Sequence, residues 1–117
     1  MKQTGILFIT IVALLMGCEQ EKQGFYKVEN SFSTSEAQKV TVYYFNSSNT
    51  QIDSKNVGDL APGEVTDKFE VNTEKVSQVK AEFITEGDIT GDEIISETSF
   101  YPIGTGKTTT VILSPLN

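Results

Sequence analysis

Val40-Thr41-Val42-Tyr43-Tyr44-Phe45 runs directly into Asn46-Ser47-Ser48-Asn49. The first six residues are β-branched or aromatic, and apart from Thr41 both alternating faces are apolar, which suits a central strand. The next four close a hairpin, because Asn tolerates positive φ and Ser hydroxyls satisfy local backbone groups. A return strand over Gln51–Val57 leads to Leu60-Ala61-Pro62-Gly63-Glu64. There Pro62 presets φ and Gly63 accepts the positive φ of a type II turn. Leu60, just before that turn, is expected to plug the core.

The same alternation of strand-forming residues with Gly, Pro, Asn and Asp clusters extends in both directions. It predicts strands at Phe25–Ser31, Lys39–Asn46, Gln51–Val57, Val65–Val71, Val76–Thr85, Glu93–Tyr101 and Lys107–Ser114. Seven strands in one small domain imply an all-β fold, an antiparallel β-sandwich. Within Val76–Thr85, Val79, Ala81 and Phe83 alternate as in a half-buried strand. A helix is the rival there, since Thr73–Lys80 lacks Gly and Pro and spaces Val76, Val79 and Phe83 three and four apart. Gly104-Thr105-Gly106 reads as a Gly-rich hairpin between the last two strands.

The stretch from Val42 to Phe69 resembles the FxLYD type of immunoglobulin-like domain of bacterial exported proteins and lipoproteins. The residues that carry the resemblance are Val42-Tyr43-Tyr44-Phe45-Asn46, the Ser47-Ser48-Asn49 turn, Ile52 to Val57, Leu60-Ala61-Pro62-Gly63-Glu64 and Phe69. Val42 stands for the first aromatic, Asn46 for Asp and Asn49 for the usual Gly, all compatible with one strand-turn-strand geometry. The resemblance implies an immunoglobulin-like sandwich acting as an accessory or binding module, with no catalytic residues to transfer.

Toward the N-terminus, Lys2 precedes the apolar run Ile6–Met16, and Glu19-Gln20-Glu21-Lys22 follows. A charged start before a short apolar run is an export signal, expected to be helical, and it falls short of the about 20 apolar residues of a membrane span. Leu15-Met16-Gly17-Cys18 resembles the lipobox of bacterial lipoprotein signal peptidase. A thiol is the soft nucleophile that thioether formation with diacylglycerol requires, so Cys18 is the expected lipidation site. The expected organisation is a signal peptide over 1–17, a lipidated tether over 18–24 and the sandwich over 25–117. The acidic residues after Cys18 resemble surface-export tags of some gram-negative lipoproteins, which implies an outer-membrane location.

Cys18 is the only cysteine, so no disulfide can form within the chain and stability must come from the core. Without Lys2, eight lysines face sixteen acidic residues, and there is no Arg or His. Nucleic acid is a poor partner for such a surface. An anionic membrane face likewise repels so acidic a surface, so the expected membrane contact is the acyl chains on Cys18 alone. Without His, Ser-His-Asp or Cys-His catalysis cannot be built, so an enzyme is not expected.

Three constellations invite a functional reading. Gly104-Thr105-Gly106-Lys107-Thr108 looks like the end of a P-loop, but Tyr101 stands where the first Gly belongs and a β-branched segment follows, so no nucleotide is expected. Glu86, Asp88, Asp92 and Glu93 could offer hard oxygen ligands to Ca²⁺, yet they match no EF-hand spacing and read first as a solvated loop. Tyr26, Tyr43, Tyr44, Tyr101 and the Phe residues could stack on sugars, although core packing explains them first. The sequence therefore points to a lipid-anchored envelope protein without cofactor, whose non-catalytic module meets a protein partner. The alternative is a small inhibitor or immunity-type lipoprotein that blocks a basic enzyme such as lysozyme.

Overall fold

The computed structural model describes residues 22–86 and 92–114. The expected signal helix and Cys18 lie outside them. Eight strands are formed among the described residues: β1 (Gln23–Asn30), β2 (Ala37–Phe45), β3 (Gln51–Leu60), β4 (Phe69–Asn72), β5 (Gln78–Glu86), β6 (Glu93–Glu97), β7 (Tyr101–Pro102) and β8 (Thr108–Leu113). They build two packed sheets, one ordered β4-β1-β8 and the other β3-β2-β5-β6, with β7 also on β5. The protein is an all-β sandwich.

The decisive stretch behaves as its residues dictate. β2 lies between β3 and β5. Val40 and Val42 are fully buried, and Phe45 is covered on the opposite face by Phe100, ring centroids 5.0 Å apart and edge to face. Asn46 Oδ1 accepts the Ser48 and Thr50 amides, and Asn49 takes φ 63°, so the hairpin closes on the two asparagines. In β5, Val79, Ala81 and Phe83 all face the core and are almost wholly buried. The helical rival fails because Asn72 to Val76 form a turn, with the Lys75 and Val76 amides both donating to the Asn72 carbonyl. Val76 is buried at that turn.

Five expectations need correction. One strand pair is parallel: β1 and β8 run alongside each other in register from Phe25 with Thr108 to Asn30 with Leu113. The segment 103–107 is consequently a crossover between sheets, because β7 pairs with β5 and β8 with β1. The strand expected over Glu93–Tyr101 is broken at Thr98 to Phe100. Thr98 bridges the break, its amide donating to the Ala81 carbonyl and its Oγ1 accepting the Ala81 amide, 2.8 and 3.0 Å. The strand expected over Val65–Val71 shrinks to four residues because the Thr66 side chain takes ladder bonds, with Oγ1 accepting the Val28 amide at 3.0 Å.

The fifth correction concerns the tether. Strand β1 begins at Gln23, and Gly24 pairs with Val71. A Cβ at Gly24 would lie 2.7 Å from both the Gly104 carbonyl oxygen and Ile103 Cγ2, so this glycine permits close packing rather than freedom. The chain is already fixed at Lys22, whose carbonyl accepts the Thr73 amide at 2.7 Å. Only residues 19–21 separate Cys18 from the first described position.

The Leu60–Glu64 turn docks on β1 through one buried residue. Gly63 has φ 79°, the Glu64 amide donates to the Ala61 carbonyl at 3.0 Å, and Glu64 Oε1 accepts the Ala61 amide at 2.9 Å. This is the type II turn expected, with Glu64 locking it. Leu60 is buried as foreseen. Asn30, with no exposed surface, donates from Nδ2 to the carbonyls of Ser35 and Leu60 at 3.0 Å and Ala61 at 3.2 Å. Its Oδ1 accepts the Phe32 amide, and its backbone exchanges bonds with Gly63 and Glu64. An Asn30→Ala variant takes the side-chain partner from the buried Leu60 carbonyl, the part-buried Ser35 carbonyl and the Phe32 amide, each costing about 1–3 kcal/mol where water cannot replace it. The expected loss is about 3 kcal/mol in urea unfolding, against under 1 kcal/mol for Ser47→Ala on the exposed hairpin.

Candidate functional site

The two sheets do not close along the side where β3 and β4 form their edges. Strand β3 is polar and exposed over most of its length, and β4 is only four residues long, so neither edge seals the other. One bridge spans the gap, Lys55 Nζ lying 5.4 Å from the centre of the Phe69 ring. Beside it a cleft of about 430 Å³ is lined by Tyr44, Ile52, Asp53, Glu70, Lys75 and Val76, among others. Ile52 and Val76 supply apolar surface, while Asp53, Glu70 and Lys75 add charges of both signs.

The inner end of the cleft is set by a tyrosine pair that joins the sheets. Tyr26 of β1 is fully buried, and its hydroxyl meets that of Tyr44 of β2 at 2.8 Å. Their rings pack edge to face at 5.9 Å, and Phe69 lies 5.2 Å from Tyr26 on another side. Burial pushes the Tyr26 phenol far above its ordinary value, with Tyr44 adding to the shift. Burial also raises Tyr44, reinforced by the charge of Asp53 and partly offset by the Tyr26 bond. Both phenols are therefore neutral near neutral pH, and Tyr44 offers the cleft a hydrogen-bonding hydroxyl rather than a nucleophile. A second, more polar cleft lies against the same part of β4 and shares Glu70, Val71 and Asn72. There Lys22 and Glu74 pair at 2.6 Å on the surface.

The residues singled out by sequence fall elsewhere. Leu60, Pro62, Gly63 and Glu64 form the turn over Asn30, a structural role. Glu86 and Glu93 are register partners in the β5–β6 hairpin, and Asp92 precedes Glu93. Asp88 lies outside the described residues, and among those described no three potential ligands converge on a metal position. Lys107 is followed by strand β8, not by the helix a P-loop needs. The aromatic residues divide between the core, where Phe32 meets Phe83, and the outer face, where Phe45 meets Phe100, and do not form one stripe.

Exposed charge is distributed unevenly along the strands. At the Lys22 end, exposed Lys22, Lys75 and Lys107 stand among exposed Asp53, Glu70 and Glu74. At the Asn30 end, Glu36, Asp59, Glu64, Glu86, Asp92 and Glu93 are all exposed, with exposed Lys39 beside Asp59. Sequence reasoning missed this polarity and the cleft because both depend on which strand ends meet in space. The sequence matches no protein-family model and no curated protein.

A pH prediction follows from the tyrosine pair. Because Tyr26 holds its proton more tightly in the fold than at the ordinary 10.0, its contribution is complete below pH 10.0 and declines above it. The decline approaches about 1.4 kcal/mol per pH unit while only the unfolded chain ionises. Thermal unfolding across that range should show the alkaline loss, and Tyr26→Phe should flatten it. An equally steep decline in the variant would assign the loss to other groups.

Proposed function

We propose that this is a lipid-anchored protein of the bacterial cell envelope, carrying an immunoglobulin-like sandwich of the FxLYD type as a non-catalytic binding module. The observation that carries the reading is Leu15-Met16-Gly17-Cys18 at the end of a short apolar run, with three residues between Cys18 and Lys22, the first described position. Four steps of extended chain from Cys18 to Lys22 reach at most about 14 Å, which holds the domain close to the bilayer. An outer-membrane location accords with the acidic residues after Cys18. The side cleft, with its neutral Tyr44 hydroxyl and mixed charges on apolar walls, has the character of a recognition surface and lacks an activated nucleophile.

Palmitate labelling in the producing bacterium tests the anchor. The natural chain should incorporate label and fractionate with membranes, while Cys18→Ser should lose the label and appear released or as an uncleaved precursor. A mature, membrane-bound Cys18→Ser protein would contradict the proposal.

The second reading, an inhibitor of a basic enzyme, draws support from the acidic Asn30 end. It predicts salt-sensitive inhibition of lysozyme, because complementary charge governs encounter. Glu64→Lys together with Glu93→Lys should weaken that inhibition at least tenfold. Full-strength inhibition by this variant, or none by the natural chain, speaks against it.

A further inference from the structure

We propose that strand β6 is a docking edge for an extended segment of a partner protein, one that carries an apolar side chain between two cationic ones on the same face. The inference rests on the binding-module reading and deepens it by naming the surface and the chemistry of its partner. Among the described residues β6 ends its sheet, with β5 on one side. The Thr98 amide donates to the Ala81 carbonyl, which fixes the parity of that ladder. Bonded pairs alternate along antiparallel strands, so Ile94 and Ser96 bond Thr85 and Phe83, while Glu93, Ile95 and Glu97 direct their amides and carbonyls away from β5.

The edges formed by β8, β4 and β3 are blunted in other ways. The Tyr101 hydroxyl accepts the Ile112 amide on β8, β4 has four residues, and β3 is polar and bulged against β2. On β6, by contrast, Ile95 is 68 % exposed and Ile94 49 %, the two highest values among the exposed large apolar side chains described.

Charge selects the occupant. The register sets three cross-strand pairs side by side on the outer face: Glu86 with Glu93, Ile84 with Ile95 and Glu82 with Glu97. Two isoleucines thus lie between two pairs of facing carboxylates, an arrangement that weakens the β5–β6 ladder by itself. Lys80 meets Glu97 at 3.2 Å, and exposed Asp92 adds a carboxylate, so five carboxylates share one ammonium. Lys39, next to the Gln38–Ile84 pair, has Asp59 beside it. The edge is acidic with these offsets counted.

A strand added to β6 lays alternate side chains beside Glu93, Ile95 and Glu97. Cations at its first and fifth positions meet the glutamates, and an apolar residue at the third covers Ile95. A second copy does not fit, because β6 laid antiparallel on β6 about Ile95 sets Glu93 against Glu97 twice. Nor does this chain hold such a segment: it has no arginine, and no two of its lysines are four residues apart. The segment therefore belongs to another protein.

The test uses the chain from Cys18 onward as Cys18→Ser, which contains every described strand and the whole core. The probe is an end-blocked heptapeptide, Thr-Lys-Thr-Ile-Thr-Lys-Thr. Near saturation, hydrogen exchange at the Ile95 and Glu97 amides should slow about fivefold, while Ile94 and Ser96, already bonded to β5, change little. An opposite-charge pair strengthens a ladder by up to about fivefold and a like pair weakens it. Glutamate in place of both peptide lysines, or Glu93→Lys with Glu97→Lys in the protein, should therefore weaken binding at least about tenfold. The β2 and β5 amides in the same experiment report that the variant is folded. No response at millimolar peptide, an equal response to the glutamate peptide, undiminished binding by the folded variant, or self-pairing through β6 overturns the proposal. A response confined to β3 or the side cleft overturns the β6 edge yet leaves the binding-module reading standing. Palmitate labelling examines the anchor separately.

Discussion

The Asn30 carboxamide is the polar junction on which the arrangement of the two sheets depends. It ends β1 in one sheet, yet its side chain donates to the carbonyls of Leu60 and Ala61 at the end of β3, in the other. The same group holds Ser35 and Phe32 in the connection between β1 and β2. The apolar core supplies more free energy, since burying each Val, Leu or Phe is worth about 1.5–3 kcal/mol. That attraction is non-directional, however, and tolerates sliding of one sheet over the other. A fully buried amide has partners in only one alignment, and losing them is costly. The Tyr26–Tyr44 hydroxyl bond supplies a second fixed point between the sheets, nearer the Lys22 end.

How far this was legible in the sequence depended on whether the signal was local. The Val40–Phe45 strand, the Asn46–Asn49 hairpin, the Pro62-Gly63 turn and buried Leu60 each follow from a few adjacent residues, and each has its expected form. Asn30 gave no signal, because an Asn at a strand end looks like an ordinary turn residue until its distant carbonyl partners are known. The parallel pairing of β1 with β8 is likewise non-local. Thr66 and Thr98 shortened or divided strands by substituting a side-chain oxygen for a backbone group, a choice that β-propensity does not encode. Gly24 read as tether because a glycine among polar residues resembles a flexible link. Its crowded surroundings come from residues about fifty and eighty positions away.

Function was legible in a different proportion. The lipid-anchor reading comes wholly from Leu15–Cys18 and its flanks, a contiguous motif. The side cleft required β3 and β4 to be neighbours across the gap between sheets, which no spacing in the chain reveals. The tyrosines considered for sugar stacking are mainly structural, Tyr26 joining the sheets and Tyr101 receiving the Ile112 amide of edge strand β8 at 3.2 Å. That last bond occupies backbone groups on a strand edge that would otherwise be open to pairing.

Native-state hydrogen exchange in graded denaturant tests the central claim most directly, because it reads the opening free energy of each sheet separately. If Asn30 couples the sheets, the protected amides of β1 and β8 and those of β2 and β5 share one global opening free energy in the natural chain. In Asn30→Ala the β1–β8 amides should then open below the β2–β5 amides. Separate opening in the natural chain, or one unchanged common value in the variant, would contradict the account.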